Sequence, residues 1–196
     1  MIEIIGSQAV LKGHVKVFDI DHPDRIVFER KNVICNSVSY LFGRLLASNT
    51  EPLAGVWGLS VGQGGTGAQG WSANNQPAPT STQTAMVSEI KRKQLTSVTY
   101  LDSNGNPTAS LTTSLQFLTI LNATTDGISV PIREMGLIGG GTTLTANGGP
   151  TNMLTAPFFN PASPADNTVL LINYLTVPPF LLPPSVNMGI GWILQL

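Results

Sequence analysis

"VPIREMGLIGGG", residues 130–141, sets one Arg-Glu pair between two apolar runs and then steps down into bare glycine. Read as a strand, its two-residue period puts Ile132, Glu134 and Gly136 on one face and Arg133 and Met135 on the other. The two charges then point apart, and each needs a partner elsewhere in the fold, because an unpaired buried charge is costly. Arg133 and Glu134 are accordingly assigned to the structural core, with Glu134 meeting a basic residue or backbone donors inside a sandwich of sheets. The glycines end the strand in a loop.

Short strand patterns surround this stretch. Before it stand "KQLTSVTYLD" and "SLQFLTILN", and after it "TNMLTAPFF", "VLLINYLTV" and a last strand "GIGWILQL", which carries Trp192 as a core anchor. Turn signals separate them at Ser103-Asn104-Gly105-Asn106, at Asp126-Gly127 and in the glycine stretch 139–150. Nearer the start, "AVLKGHVKVFDI" and "RIVFERKNVI" alternate apolar and polar residues across "DHPDR", where Pro23, Asp21 and Asp24 supply turn chemistry. That reads as an opening β-hairpin. In "NSVSYLFGRLLASNT", Val38, Leu41, Phe42, Leu45 and Leu46 fall at the spacing of one helical face, with Asn36 or Ser37 as a cap and Ser48-Asn49 as the exit. Such a stripe belongs to the core. The fold expected is mainly β: a β-sandwich or partly open barrel in one domain spanning 1–196, with one early amphipathic α-helix and long loops.

A second glycine-rich stretch, "GQGGTG" at 62–67, satisfies G-x-G-x-x-G and follows the strand "GVWGLSVG". A dinucleotide site needs a helix after those glycines to receive the pyrophosphate. Here "AQGWSANNQPAP" follows, and Gly70, Pro77 and Pro79 leave no helical run. The uncharged segment 62–83 is a long polar loop instead, functional or ordered by a neighbour. No phosphate loop of the form G-x-x-x-x-G-K-[ST] occurs. The histidines, His14 and His22, fall on a strand and in a turn, and neither a G-x-S-x-G elbow nor H-E-x-x-H is present. Asp19, Asp21 and Asp24 could offer oxygens to a cation but lack the glycine and terminal glutamate of a calcium loop. The expectation is no enzyme, with no catalytic, cofactor-binding or metal-binding residues.

Hydrophobic residues make up 42% of the 196 but charged residues only 11%, less than half of the ~25% usual in soluble chains. A surface so poor in charge suits packing against neighbours better than standing alone in water. Apolar loop residues, namely Trp71, Phe158, Phe159, Phe180, Leu181 and Leu182, are the interface candidates. The net charge of −1 gives no case for nucleic acid, and Lys91, Arg92 and Lys93 read as a solvated strand edge. Cys35, the lone cysteine, reads as a small buried hydrophobe. Glu3 interrupts the first apolar stretch and prolines break the most apolar region, so neither a signal peptide nor a membrane span is expected, and synthesis is placed in the host cytoplasm.

The order "RKNVICNSVSYLFGRLLAS", "LSVGQGGTG", "MVSEIKRKQLTSV", "PIREMGLIGGG" and "NYLTVPPFLLPPSVNMGIGWILQL" resembles bacteriophage tail or baseplate-associated structural proteins. These run from a KN-hydrophobic strand into a helix, then a VGxG strand, an EIxR segment, a REMGL strand and a closing tryptophan strand. The resemblance implies that Lys31 and Asn32 open the helix connection and that Val61-Gly62-Gln63-Gly64 is the turn after a core strand. It further implies that Glu89, Ile90 and Arg92 start the next strand, that Arg133–Leu137 is a core strand and that Trp192 anchors the last. The glycines after Ile138 and the doubled "PPFLLPP" depart from the pattern. The implied role is a non-enzymatic virion component joining copies of itself, as a trimer or hexamer, to other virion proteins in the tail or baseplate, a fibre adaptor among such roles. The implied partners include no nucleic acid, membrane, small-molecule substrate or cofactor. A capsid decoration or cement protein and a host glycan-binding sandwich are the alternatives.

Overall fold

The structure is a computed structural model that describes residues 11–47, 55–72, 74–141, 156–163 and 168–196. The first half of the chain runs β1 (Lys12–Asp19), β2 (Ile26–Lys31), β3 (Val33–Ile34), α1 (Val38–Ala47), β4 (Val56–Gly62), β5 (Glu89–Gln94), β6 (Ser97–Leu101) and β7 (Pro107–Thr108). The second half runs β8 (Ser114–Asn122), a one-turn helix α2 (Ala123–Asp126), β9 (Ile132–Gly139), β10 (Leu170–Leu171), β11 (Asn173–Phe180) and β12 (Asn187–Gln195). Two six-stranded sheets result: one ordered β2-β1-β12-β8-β6-β7, the other β3-β11-β9-β4-β5 with β10 paired to β9. The named strands pair antiparallel throughout.

The expected hairpin forms. β1 and β2 pair across the "DHPDR" turn, where Asp19 Oδ1 accepts the Asp21 N–H at 3.0 Å and the Arg25 N–H donates to His22 O at 2.8 Å. Cross-strand register then builds the core. Val15, Trp192 and Phe117 share one row of the first sheet, and Val17, Ile190 and Thr119 share the next. All six are buried, and all but Thr119 join Leu59, Val61, Met135, Leu137 and Leu175 of the second sheet in one hydrophobic cluster. Burying each such aliphatic side chain contributes ~1.5–3 kcal/mol, so this shared layer is what holds the two sheets together. Trp192 is the anchor expected of it.

The second sheet is covered on its other face too. Cys35, Trp57, Met86, Ile138, Leu171 and Tyr174 form a further cluster there, with Phe158 packed against it. A sheet buried on both faces reads as nearly continuous apolar sequence, which accounts for "EMGLIG".

Two strand readings need correction. "KQLTSVTYLD" is not one strand: Leu95 N–H donates to Trp57 O at 2.9 Å in the second sheet, while Thr96 N–H donates to Leu118 O at 2.7 Å in the first. The chain changes sheets between those residues. Of "TNMLTAPFF", residues 151–155 lie outside the described residues, and the rest contributes an isolated bridge from Phe158 to Val169. Lys91, Arg92 and Lys93 do lie on the edge strand β5, but Arg92 and Lys93 are not merely solvated. Arg92 forks onto Glu89 at 2.6 and 3.0 Å, and Lys93 Nζ lies 2.7 Å from both carboxylate oxygens of Asp126, tying β5 to α2 across the sandwich.

Candidate functional site

Glu134 sits on the outward face of β9, opposite Gly62 of β4 and Thr176 of β11. It is fully buried, and no cation is needed to explain how it stays there. Its Oε1 accepts the N–H groups of Ser88 at 2.7 Å and Gly64 at 3.2 Å, and its Oε2 accepts the Val87 N–H at 2.9 Å and the Tyr174 O–H at 2.5 Å. Hydrogen bonds to a charged group contribute about 1.5–3 kcal/mol each, so four of them offset the several kcal/mol lost on desolvating the carboxylate. Of the two partners open to Glu134 in the sequence, backbone donors are the ones found.

This cage explains the "GQGGTG" glycines. A Cβ on Gly62 would stand 2.3 Å from Glu134 Oε1 and 2.6 Å from Ser88 O, so only glycine leaves room for the carboxylate. Gly64 has φ +71°, in the left-handed region where side chains are strained, and a Cβ there would meet the Trp71 ring at 2.5 Å. Trp71 lies flat on this backbone, and Thr66 and Gln69 close a reciprocal cap around the short 3-10 turn Gly67–Gln69. The loop is held further on by Thr176 Oγ1, which donates to Pro77 O at 2.9 Å. One glycine N–H, that of Gly64, thus binds an anion together with the Val87 and Ser88 N–H groups, and the anion is the chain's own carboxylate. With both oxygens engaged and no exposure, Glu134 has no lone pair to offer an outside substrate.

Burial, then the charge and hydrogen bond of Glu134, push the Tyr174 phenol well above its ordinary range. Burial alone pushes the Cys35 thiol up to about 12, so it is protonated and inert at neutral pH, as a buried hydrophobe should be.

The interface candidates separate. Trp71, Phe159 and Leu182 are buried within the chain. Phe158 is half-buried beneath the Arg92 guanidinium, 4.5 Å from its ring centre, and Phe180 is half-buried edge-on to Phe28 at 5.6 Å. Leu181 remains free, 61% exposed. Five of the six pack within their own subunit because each finds glycine backbone, a guanidinium or an apolar neighbour close by. Trp57 and Trp192 are buried as well.

The outward apolar surface lies on α1, where the sequence placed core. Leu41 is buried, Val38 is half-buried against the main cluster, and Ser37 Oγ donates to Leu171 O rather than capping the helix. Phe42 and Leu45, assigned to the core, are instead 41% and 44% exposed, with Tyr40 at 47% and Leu46 at 88%. The apolar stripe is wider than the strip of sheet that receives it: the Val38–Leu41 flank docks, and the rest faces out. Arg133, the remaining core candidate, is half-buried. Beneath the helix lies a wholly apolar crevice of about 80 Å³, lined by Val38, Leu41, Phe42, Leu115, Leu194 and Leu196 among others. The exposed helix was missed because its pattern is the same as that of a core helix; an excess of apolar positions over one face was the available signal.

His14 lies 3.3 Å from Glu29 on the first sheet, and His22 is exposed in the hairpin turn. Among the described residues no group of three or more His, Cys, Asp or Glu side chains could hold a metal ion, and no helix is long and apolar enough to cross a membrane. No protein-family model matches the chain, and no curated protein matches it either.

Proposed function

We propose that this protein is a non-enzymatic structural component of a bacteriophage particle that joins neighbouring subunits in the tail or baseplate. The observation that carries the reading is the α1 surface. Three large apolar side chains, Phe42, Leu45 and Leu46, stand exposed at neighbouring positions of one ten-residue helix, in a chain whose charged fraction is 11%. Contiguous exposed carbon of this kind marks a contact surface, and low charge favours association over solubility. The motif order shared with tail and baseplate proteins directs the reading to a virion. The burial of Trp57, Trp71 and Trp192 leaves none of the three tryptophans exposed as a platform for a glycan.

Quantitative mass spectrometry of purified phage particles from a genome encoding this chain tests the proposal. A small, fixed copy number per particle is the expected outcome. Copy numbers comparable to the capsid protein would move the chain to the shell as a decoration protein, and absence from the particle would overturn the reading.

A further inference from the structure

The first sheet ends on one side at β2, and that edge is open. Asn32 N–H donates to Gly13 O across the β1–β2 ladder at 3.2 Å, so strand alternation turns the N–H and C=O groups of Glu29 and Lys31 away from β1. Among the described residues no strand follows β2 in the sheet order. The other three outer strands are closed to pairing in ordinary ways. β3 and β7 are two residues long, with Pro107 in β7, and β5 sets Lys91 and Lys93 on its core-facing side, opposite Val61 and Leu59.

Along β2 the side chains are sorted by type. Ile26 and Val27 are 46% and 50% exposed at one end, and Arg30 and Lys31 stand exposed at the other. Lys31 lies opposite His14. With Lys12 these two line a cleft of about 530 Å³, together with Leu11, Ile34 and Ile193. The one acid on the strand, Glu29, lies 3.3 Å from His14.

This sorting argues against a second copy as the occupant. Two β2 strands that meet antiparallel about a two-fold axis normal to the sheet set Ile26 against Arg30 when centred on Phe28. Centred on Glu29 they bring two carboxylates together, and centred on Arg30 two guanidinium groups. Each register therefore repels the chain's own copy, while the same cations favour an acidic strand.

We infer that the β2 edge receives an extended acidic segment of another protein, added antiparallel to the sheet, with carboxylates opposite Arg30 and Lys31 and apolar side chains beside Ile26 and Val27. Backbone pairing at Glu29 and Lys31 supplies the contact, and the cationic cleft selects its sign. Binding at β2 and copy number in particles are separate readouts, and either can fail without the other.

Anisotropy titration of a fluorescein-labelled peptide, Glu-Asp-Thr-Val-Thr-Val, against the full chain tests this. In the antiparallel register the first and third N–H groups of the peptide face Lys31 and Glu29. N-methylation at those two positions should weaken binding about tenfold or more, whereas N-methylation at the second and fourth should leave it within about twofold. Arg30→Glu combined with Lys31→Glu should weaken binding of the acidic peptide about tenfold or more and favour Lys-Lys-Thr-Val-Thr-Val instead. Hydrogen exchange at the Glu29 and Lys31 amides should slow when the peptide is bound. No binding by the wild type, equal loss from both N-methylation patterns, or unchanged binding by the charge-reversed chain would overturn the inference. So would a wild-type dimer in which those two amides are protected without peptide.

Discussion

The outward face of β9 and the outward face of α1 carry opposite mismatches. One buries a charge, and the other exposes carbon. At Glu134 the chain resolves the mismatch internally, with three backbone N–H groups and a phenol converging on one carboxylate. On α1 no such resolution exists among the described residues, and Phe42, Leu45 and Leu46 stand exposed. The contrast separates what this chain does for its own fold from what it leaves for a neighbour. A buried carboxylate without partners would cost the fold several kcal/mol, whereas an exposed apolar helix is tolerated until something covers it.

The comparison breaks most directly at Glu134. Glu134→Leu leaves four buried donors without an acceptor and should cost about 3–5 kcal/mol, the range found when one partner of a buried polar set is removed. Tyr174→Phe removes a single donor and should cost about 1–3 kcal/mol. Urea unfolding at neutral pH measures both. Midpoints equal to the wild type would mean that the cage does not hold the loop to the sheet, and the contrast with α1 would fail.

A smaller effect comes from pH. The Cys35 thiol is raised from near 9 to about 12 in the fold, and Tyr174 is also raised. For a group whose folded pKa lies above its unfolded one, stability is complete below the unfolded value and is lost as pH climbs toward the folded value. Stability should therefore be level up to about pH 9 and then fall by up to about 1.4 kcal/mol per pH unit for Cys35, with Tyr174 adding to the slope above about pH 10. Unfolding curves at stepped alkaline pH check this, and Cys35→Ala should flatten the first part of the decline. A decline that Cys35→Ala leaves unchanged would place its origin outside the covered face of the second sheet.

Much of the covered face was legible beforehand. Period-2 alternation placed Glu134 and Arg133 on opposite faces, and Gly70, Pro77 and Pro79 after "GQGGTG" marked a loop in place of a long helix. Trp192 and Cys35 read as buried, and they are. What remained hidden depends on distance rather than on pattern. The sheet change at Leu95 and Thr96 turns on which carbonyl each N–H reaches, Trp57 O or Leu118 O, and no local periodicity encodes that. Trp71 in a polar loop reads the same whether it packs on its own glycines or on a neighbour. The stripe on α1 likewise reveals an apolar face without revealing how much of that face the sheets are wide enough to cover. The two-residue strands β3, β7 and β10 are too short for any pattern to register.

The smallest effect sharpens the comparison most, because its two consequences have opposite signs. Gly43 occupies the interior of α1, where glycine is less favourable than alanine by about 0.5–1 kcal/mol. A Cβ at this position meets nothing within 4 Å, so Gly43→Ala should stabilise the isolated subunit by about that amount. If α1 faced only water, the substitution would be a plain improvement. If a neighbouring subunit packs on α1 beside Gly43, the added methyl group enters the contact and holds the two surfaces apart. Association should then weaken while the subunit gains stability. Urea unfolding at low concentration reads the first quantity, and sedimentation at high concentration reads the second. A gain in both would mean that glycine at 43 is not there for a neighbour, and would remove the bare backbone from the case for α1 as a contact surface. A gain in one with a loss in the other is the behaviour of a surface that trades its own stability for contact.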